Sequence, residues 1–177
     1  MHELRQRRMT HPSAAALAIN REALQAATGG GSGHRPPVLR VGRSIHVLDV
    51  ENLSGGPSSD YSDIAAMWMA IVGPSPDDLV VCGSDTSGAF AVRSAFPSVR
   101  QVVGRGRNGA DRALALVLNE NHLAGRFDSV ILGSGDAFFA TDVQRLRRTG
   151  LHTVVVSRPS STAAALRDEA HRVVQFA

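Results

Sequence analysis

The chain has 177 residues, which suits one domain plus an extension, and 43% of them are hydrophobic, enough for a buried core. All 19 basic residues are arginine and the formal net charge is +3, a balance that permits nucleic-acid binding without requiring it. The single cysteine, Cys82, excludes an internal disulfide and cysteine-pair zinc sites, and no apolar stretch is long enough to span a membrane. We therefore expect a cytoplasmic protein without membrane association.

The first part of the chain differs in composition from the rest. Residues 1–12 are polar and basic, residues 13–27 can form a short alanine-rich helix, and a glycine-rich linker follows. We expect a flexible N-terminal extension over residues 1–43, followed by one domain over residues 44–177. The extension is a candidate surface for self-association or for binding a protein partner.

From Ser44 onward, short apolar runs alternate with segments of helical periodicity. The predicted strands cover residues 45–50, 79–82, 99–103, 129–132 and 151–156, and residues 174–176 add a final strand or cap. The predicted helices cover residues 59–72, 87–95, 111–121, 137–148 and 161–173. This alternation predicts right-handed crossovers and a mainly parallel sheet with helices on both faces, a three-layer αβα sandwich.

Three acidic residues fall where predicted strands end or the following helix begins. Asp49 closes the first strand, Asp136 follows the fourth, and Asp111 opens the helix after the third. Ligands of parallel sheets bind outside the carboxyl ends of the strands, and carboxylates are preferred ligands of hard divalent cations. Asp111 and Asp136 taken singly also fit the role of helix caps. Asp49 ends an apolar strand and needs a partner, which a metal or Asn52 would supply.

The segments around these acids resemble the NYN family of PIN-like nucleases. Residues 49–53 (Asp-Val-Glu-Asn-Leu) resemble its first motif, an Asp followed three residues later by an Asn. Residues 109–111 (Gly-Ala-Asp) resemble the second motif, and residues 134–139 (Ser-Gly-Asp-Ala-Phe-Phe) resemble the third, commonly Ser-Gly-Asp-x-Asp-Phe. The resemblance extends, in order, over residues 44–177.

The resemblance implies a PIN-like fold with an acidic pocket for Mg²⁺ or Mn²⁺ and cleavage of RNA phosphodiesters, with endonucleolytic cleavage expected. In that interpretation Asp49, Asp111 and Asp136 hold the metal directly or through water. Asn52 joins them in the catalytic set and orients a water molecule or a phosphate.

Two positions depart from the family pattern. Phe138 stands where the family often has a second Asp, and Val117 stands where many relatives carry another acid. Asp142 or Glu51 are the residues that could compensate. The departures leave open a second hypothesis, an NYN-type RNA-binding module with weakened or lost catalysis. A phosphatase-like or small-molecule enzyme is a third, against which the missing Asp-x-Asp nucleophile motif counts.

Arginines mark the expected contacts with nucleic acid. Arg105, Arg107 and Arg112 surround a glycine-rich loop next to Asp111. Arg145 and Arg148 share one face of a predicted helix, where they could equally be solvated and complement the helix dipole. Aromatic residues make up only 5% of the chain, which favours backbone contacts with RNA, expected to be single-stranded. Any base stacking would depend on Tyr61, Phe90 or Phe96.

Overall fold

The computed structural model describes residues 41–176, which form alternating strands and helices. The strands are β1 (Ser44–Asp49), β2 (Leu79–Ser84), β3 (Arg100–Val103), β4 (Ser129–Gly133), β5 (His152–Ser157) and β6 (Arg172–Gln175). The α-helices are α1 (Val50–Ser54), α2 (Ser62–Ile71), α3 (Ala89–Ala95), α4 (Gly109–Leu118), α5 (Ala140–Arg148) and α6 (Ala164–Glu169). Two short 3₁₀ helices, Leu123–Gly125 and Ala137–Phe139, precede β4 and α5.

The six strands form one sheet in the order β3-β2-β1-β4-β5-β6, and every pairing is parallel. The central strand β1 pairs with both β2 and β4, so that Leu48 lies opposite Cys82 on one side and Gly133 on the other. The strand order therefore changes direction between β1 and β4. In doubly wound sheets this is the point where a crevice opens at the carboxyl edge.

Apolar side chains cover both faces of the sheet. Ile45 and Val47 point to one face and pack with Leu114 of α4 and Leu146 of α5. The alternate residue Leu48 points to the other face and packs in a cluster that contains Trp68 of α2. A sheet buried on both faces between two helical layers confirms the predicted three-layer αβα sandwich.

The prediction was wrong at two places in the chain. The first strand ends at Asp49 rather than at Val50, because Asp49 caps a five-residue helix, α1, which was not predicted. The predicted helix over residues 161–173 is limited to α6, and β6 follows it. Val173 and Val174 fit a strand because they pack on opposite faces of the sheet while β6 pairs with β5.

Cys82 is fully buried in β2, and burial raises the pKa of its thiol, as expected for a structural cysteine. Within residues 41–176, no helix is long and apolar enough to cross a membrane. The predicted helix over residues 13–27 and most of the N-terminal extension lie outside the described residues.

Candidate active site

Asp49 lies where β1 and β4 end side by side, and its carboxylate accepts hydrogen bonds from the segments that follow these two strands. Its Oδ1 atom accepts a hydrogen bond from the backbone N–H of Asn52, 3.1 Å away, which caps α1. Its Oδ2 atom accepts a hydrogen bond from the Ser134 hydroxyl, 3.2 Å away, at the end of β4. Asp49 is only 4% exposed, so this carboxylate is fixed and largely shielded from water.

Asn52 connects the end of β1 to the loop after β4. Its side-chain Oδ1 atom accepts a hydrogen bond from the backbone N–H of Gly135 at 2.9 Å. The Ser134 hydroxyl in turn accepts a hydrogen bond from the backbone N–H of Asp136 at 3.2 Å. The structure therefore brings Asp49, Asn52 and Asp136 into one hydrogen-bonded network, although the residues lie far apart in the sequence.

Asp111 enters from the first turn of α4 and lies within electrostatic reach of both other aspartates. Partial burial and the charge of Asp136 raise the pKa of Asp111, while Arg112 and a side-chain hydrogen bond with Asp49 lower it. The structure thus places the carboxylate of Asp111 close enough to those of Asp49 and Asp136 for both to affect its pKa.

The pKa of Asp49 is raised to about 7, mainly by burial, and also by the negative charges of Asp111 and Glu51. The hydrogen bonds from Asn52 and Ser134 oppose this rise. Among residues 41–176, the contributions that lower the pKa of Asp49 come from hydrogen bonds and not from a cationic side chain. A buried carboxylate surrounded by other acids favours a cation, because positive charge would stabilise its ionised form.

Two further acids at this edge were missed or misplaced by the sequence analysis. Glu51, named above as a residue that could compensate for the departures, lies in α1, and its charge raises the pKa of Asp49. Its Oε1 atom accepts a hydrogen bond from the backbone N–H of Asp85, 3.3 Å away, just after β2. Asp85 could have been found, because it follows an apolar run in the same way as Asp49 does. The carboxyl edge therefore carries five acids: Asp49, Glu51, Asp85, Asp111 and Asp136.

The two positions that depart from the family pattern have different surroundings. Phe138 is 41% exposed beside Asp136, whose Oδ1 atom accepts a hydrogen bond from the Phe138 backbone N–H at 2.9 Å. Val117 is buried in the core near the C-terminal end of α4. Asp142 does not replace the missing acids, because its carboxylate accepts a hydrogen bond at 2.6 Å from Asn119 at the opposite end of α4.

The arginines divide into two groups. Arg105 and Arg107 are exposed on the loop before α4, and the Arg112 guanidinium donates hydrogen bonds to their carbonyl oxygens, at 2.9 Å for Arg105. Arg145 donates at 2.6 Å to the carbonyl of Leu118, at the end of α4 away from Asp111. Arg148 is the last residue of α5, which runs from the carboxyl ends of the strands toward their amino ends. The structure therefore separates Arg145 and Arg148 from the acidic edge.

The donor set at the carboxyl edge fits a hard divalent cation in its chemistry. Within residues 41–176, no three His, Cys, Asp or Glu side chains converge as a ready-made metal cluster. Mg²⁺ does not need such a cluster, since it keeps several waters and is commonly bound by one or two carboxylates together with substrate phosphates. Among the acids at this edge, Asp49 has a buried carboxylate whose pKa is raised to about 7.

The fold and the site together define a class of protein: a doubly wound α/β domain with acidic residues at its topological switch point. The family model of the NYN domain matches residues 48–176, and the chain belongs to this family of PIN-like nucleases. A comparison with curated proteins finds no match. Among solved structures, the chain is similar to a protein of unknown function, VPA0982, from Vibrio parahaemolyticus RIMD 2210633, with 17% identity and a TM-score of 0.55. That likeness covers 81% of this chain and 97% of the other and concerns the fold alone.

Proposed function

We propose that the chain is a metal-dependent ribonuclease that hydrolyses RNA phosphodiesters at the carboxyl edge of its sheet. Asp49, Asp111 and Asp136 would hold Mg²⁺ or Mn²⁺ directly or through water. The observation that carries the proposal is the buried Asp49 carboxylate, whose pKa is raised by burial and by neighbouring acids. Membership of the NYN family supports the same activity.

The side chains of the site have different roles in this proposal. When bound, a divalent cation would stabilise negative charge on the phosphate and make a bound water more acidic. Asp111 and Asp136 are more exposed than Asp49 and can orient the attacking water and accept its proton. Asn52 keeps the loop after β4 in place through Gly135, and its side-chain amide N–H groups remain available to a phosphate oxygen.

The basic loop before α4 is the proposed contact with the RNA backbone. Arg105 and Arg107 are exposed there, while Arg112 shapes the loop by bonding to their carbonyl oxygens. Gly104 and Gly109 lie in direct backbone contact, so that a side chain on Gly104 would collide with the Gly109 carbonyl. A loop closed in this way presents its two exposed arginines in a defined place next to Asp111.

The preferred substrate in this proposal is single-stranded RNA, cleaved internally by a cytoplasmic enzyme. Of the three aromatic residues considered for base stacking, Tyr61 and Phe96 are buried and Phe90 is 84% exposed. Phe138 is a further exposed ring, beside Asp136. Unpaired bases can stack on such rings, whereas bases within a duplex cannot.

Incubation of the purified full chain with circular and linear single-stranded RNA, with Mn²⁺ or with EDTA, tests the proposal. We expect Mn²⁺-dependent opening of the circle, abolished by Asp49→Asn and retained by Asp168→Asn, a matched change at an exposed residue of α6. Equal degradation by the wild type and Asp49→Asn would identify a contaminating nuclease and refute the proposal.

The second candidate function is RNA binding without cleavage, and Phe138 is the observation that favours it. An aromatic ring stands beside Asp136 where related sequences often have an acid, and Val117 is packed in the core. Binding of RNA by the wild type, with no cleavage under any divalent cation, would support this candidate. The N-terminal extension remains a proposed contact for self-association or a protein partner, tested by the mass in solution after removal of residues 1–43.

A further inference from the structure

Arg158 is a cation at the carboxyl edge that the sequence analysis did not consider. It directly follows β5, which pairs with β4 so that Val156 lies opposite Gly133. Arg158 therefore lies beside the Ser134–Asp136 loop. Its backbone is fixed, because its carbonyl accepts hydrogen bonds from the Ser161 N–H at 3.2 Å and from the Ser161 hydroxyl at 2.8 Å. The proline that follows further limits its backbone conformation.

The Arg158 guanidinium is anchored by only one of its nitrogens. Its Nε atom donates a hydrogen bond to the carbonyl of Asn52 at 3.1 Å. The Nη1 atom lies over Gly55, 2.7 Å from the position that a Cβ atom would occupy there. In the part of the chain that the structure describes, neither Nη1 nor Nη2 has a hydrogen-bond acceptor or a carboxylate partner. Two donor nitrogens of the planar fork are therefore held in place without a protein acceptor.

The single hydrogen bond to Asn52 would also fit a purely structural role. Asn52 lies near the end of α1, where its carbonyl also accepts a hydrogen bond from the Gly55 backbone N–H at 3.3 Å and a positive charge complements the helix dipole. Such a role needs one donor only and does not account for the unpaired nitrogens, which a phosphate could satisfy in a bidentate manner.

The acids of this edge give a reason for a cation here. Asn52, which receives the Arg158 hydrogen bond, also donates its backbone N–H to Asp49, so Arg158 is one residue removed from the candidate metal ligand. A nucleic-acid strand that approaches five carboxylates is repelled by them unless positive charge lies alongside. Arg105 and Arg107 provide that charge on the side of α4, and Arg158 lies on the other side of the β1–β4 junction.

We infer that Arg158 is a phosphate-binding residue, whose two Nη atoms contact a backbone phosphate next to the one that is cleaved. This inference rests on the proposed function, since it takes RNA as the ligand. Together with the basic loop it gives the strand a path across the acidic edge, from α4 to β5.

The salt dependence of RNA binding tests the contact. A fluorescent single-stranded RNA is titrated into the Asp49→Asn full chain in Mg²⁺, so that bound RNA stays intact, at a series of salt concentrations. Replacing Arg158 by Gln should weaken binding about tenfold and flatten the plot of log Kobs against log salt by about 0.7, the contribution of one phosphate contact on a single strand. Arg158→Lys should restore the slope, because it keeps the charge, but only part of the affinity.

The matched control is Arg100→Gln. Arg100 begins β3 at the opposite edge of the sheet and is paired with Glu120 at 2.7 Å, so its loss should leave the slope unchanged. Thermal unfolding of each variant is measured alongside. A lower Tm for Arg158→Gln with a slope like that of Arg100→Gln would mean that Arg158 acts only on α1, and the inference would be wrong.

A second measurement needs no substitution of Arg158 and so does not depend on whether such a variant folds. The Asp49→Asn chain is treated with phenylglyoxal with and without bound RNA, and modified arginines are mapped by mass spectrometry. Arg158 should be protected by RNA and Arg100 should not; equal modification of Arg158 in both samples overturns the inference. RNA binding with these effects but without cleavage by wild type would refute the nuclease proposal alone. Cleavage by wild type with no effect at Arg158 would refute the inference alone.

Discussion

Replacing Asp49 by Asn should stabilise the metal-free protein while abolishing its proposed activity. Asp49 is 4% exposed and its pKa is raised to about 7, against the ordinary 3.8. An acid with a raised folded-state pKa contributes most to stability below its unfolded pKa. That contribution is lost as the pH rises through the folded pKa, because the folded state must then hold a buried charge. Asn keeps the shape and removes the charge.

The size of the effect follows from the shift. A pKa difference of roughly 3 units corresponds to an upper bound of about 4 kcal/mol above pH 7, and most of it disappears near pH 4. Hydrogen bonding should survive, since the Asn side-chain oxygen can still accept from the backbone N–H of Asn52. The Ser134 hydroxyl donates to Asp49 in the wild type and can rotate to accept a hydrogen bond from the Asn amide in the variant.

Urea unfolding in EDTA at about pH 8 and pH 5 measures this prediction. The free energy of unfolding of Asp49→Asn should exceed that of wild type by a few kcal/mol at the higher pH and by clearly less at the lower pH. Asp168→Asn, at an exposed position on α6, is the matched control and should change neither value. A variant no more stable than wild type at pH 8 would refute the argument that Asp49 is a strained, cation-seeking carboxylate.

Three other predictions concern the same edge of the sheet. Mn²⁺ binding should weaken roughly eightfold between about pH 7.5 and 6, because protons compete for a carboxylate with a pKa of about 7; pH-independent binding by calorimetry would contradict this. Gly135→Ala should lower both the Tm and the nuclease activity, since its Cβ would collide with the Ser161 carbonyl, whereas Gly125→Ala, with open space around it, should not. Val117→Asp should cost several kcal/mol of stability and should not improve metal binding, because Val117 is 2% exposed in the core. A folded Val117→Asp variant that binds Mn²⁺ more tightly than wild type would contradict this prediction.

The sequence predicted the sheet and its acidic edge because both depend on patterns local to each segment. Apolar β-rich runs identify the buried strands, and an acid directly after such a run, or at the start of the following helix, must lie at the carboxyl edge of a parallel sheet. Asp49, Asp111 and Asp136 could therefore be placed together once the strands were assigned. Asp85 has the same signal and was overlooked.

The details that were not predicted depend on contacts between distant parts of the chain. Helix α1 is too short to show a helical period, so the sequence did not reveal that Glu51 lies in a helix at the carboxyl edge, where it bonds to the backbone of Asp85. A final strand or cap was predicted over residues 174–176, but β6 begins earlier, at Arg172, because β5 offers it an edge to pair with. The sequence shows only that Arg158 follows a strand. Its role depends on the hydrogen bond from its Nε atom to the carbonyl of Asn52, which is far away in the sequence.

Asn52 engages three strand ends at once through three separate groups. Its backbone N–H donates to Asp49, its side-chain oxygen accepts from the backbone N–H of Gly135, and its carbonyl accepts from Nε of Arg158. A ligand that shifts any one of these neighbours must also displace this shared asparagine. The proposed binding at the carboxylates and the proposed binding at the arginine would therefore be linked energetically, and each would strengthen or weaken the other by the same factor.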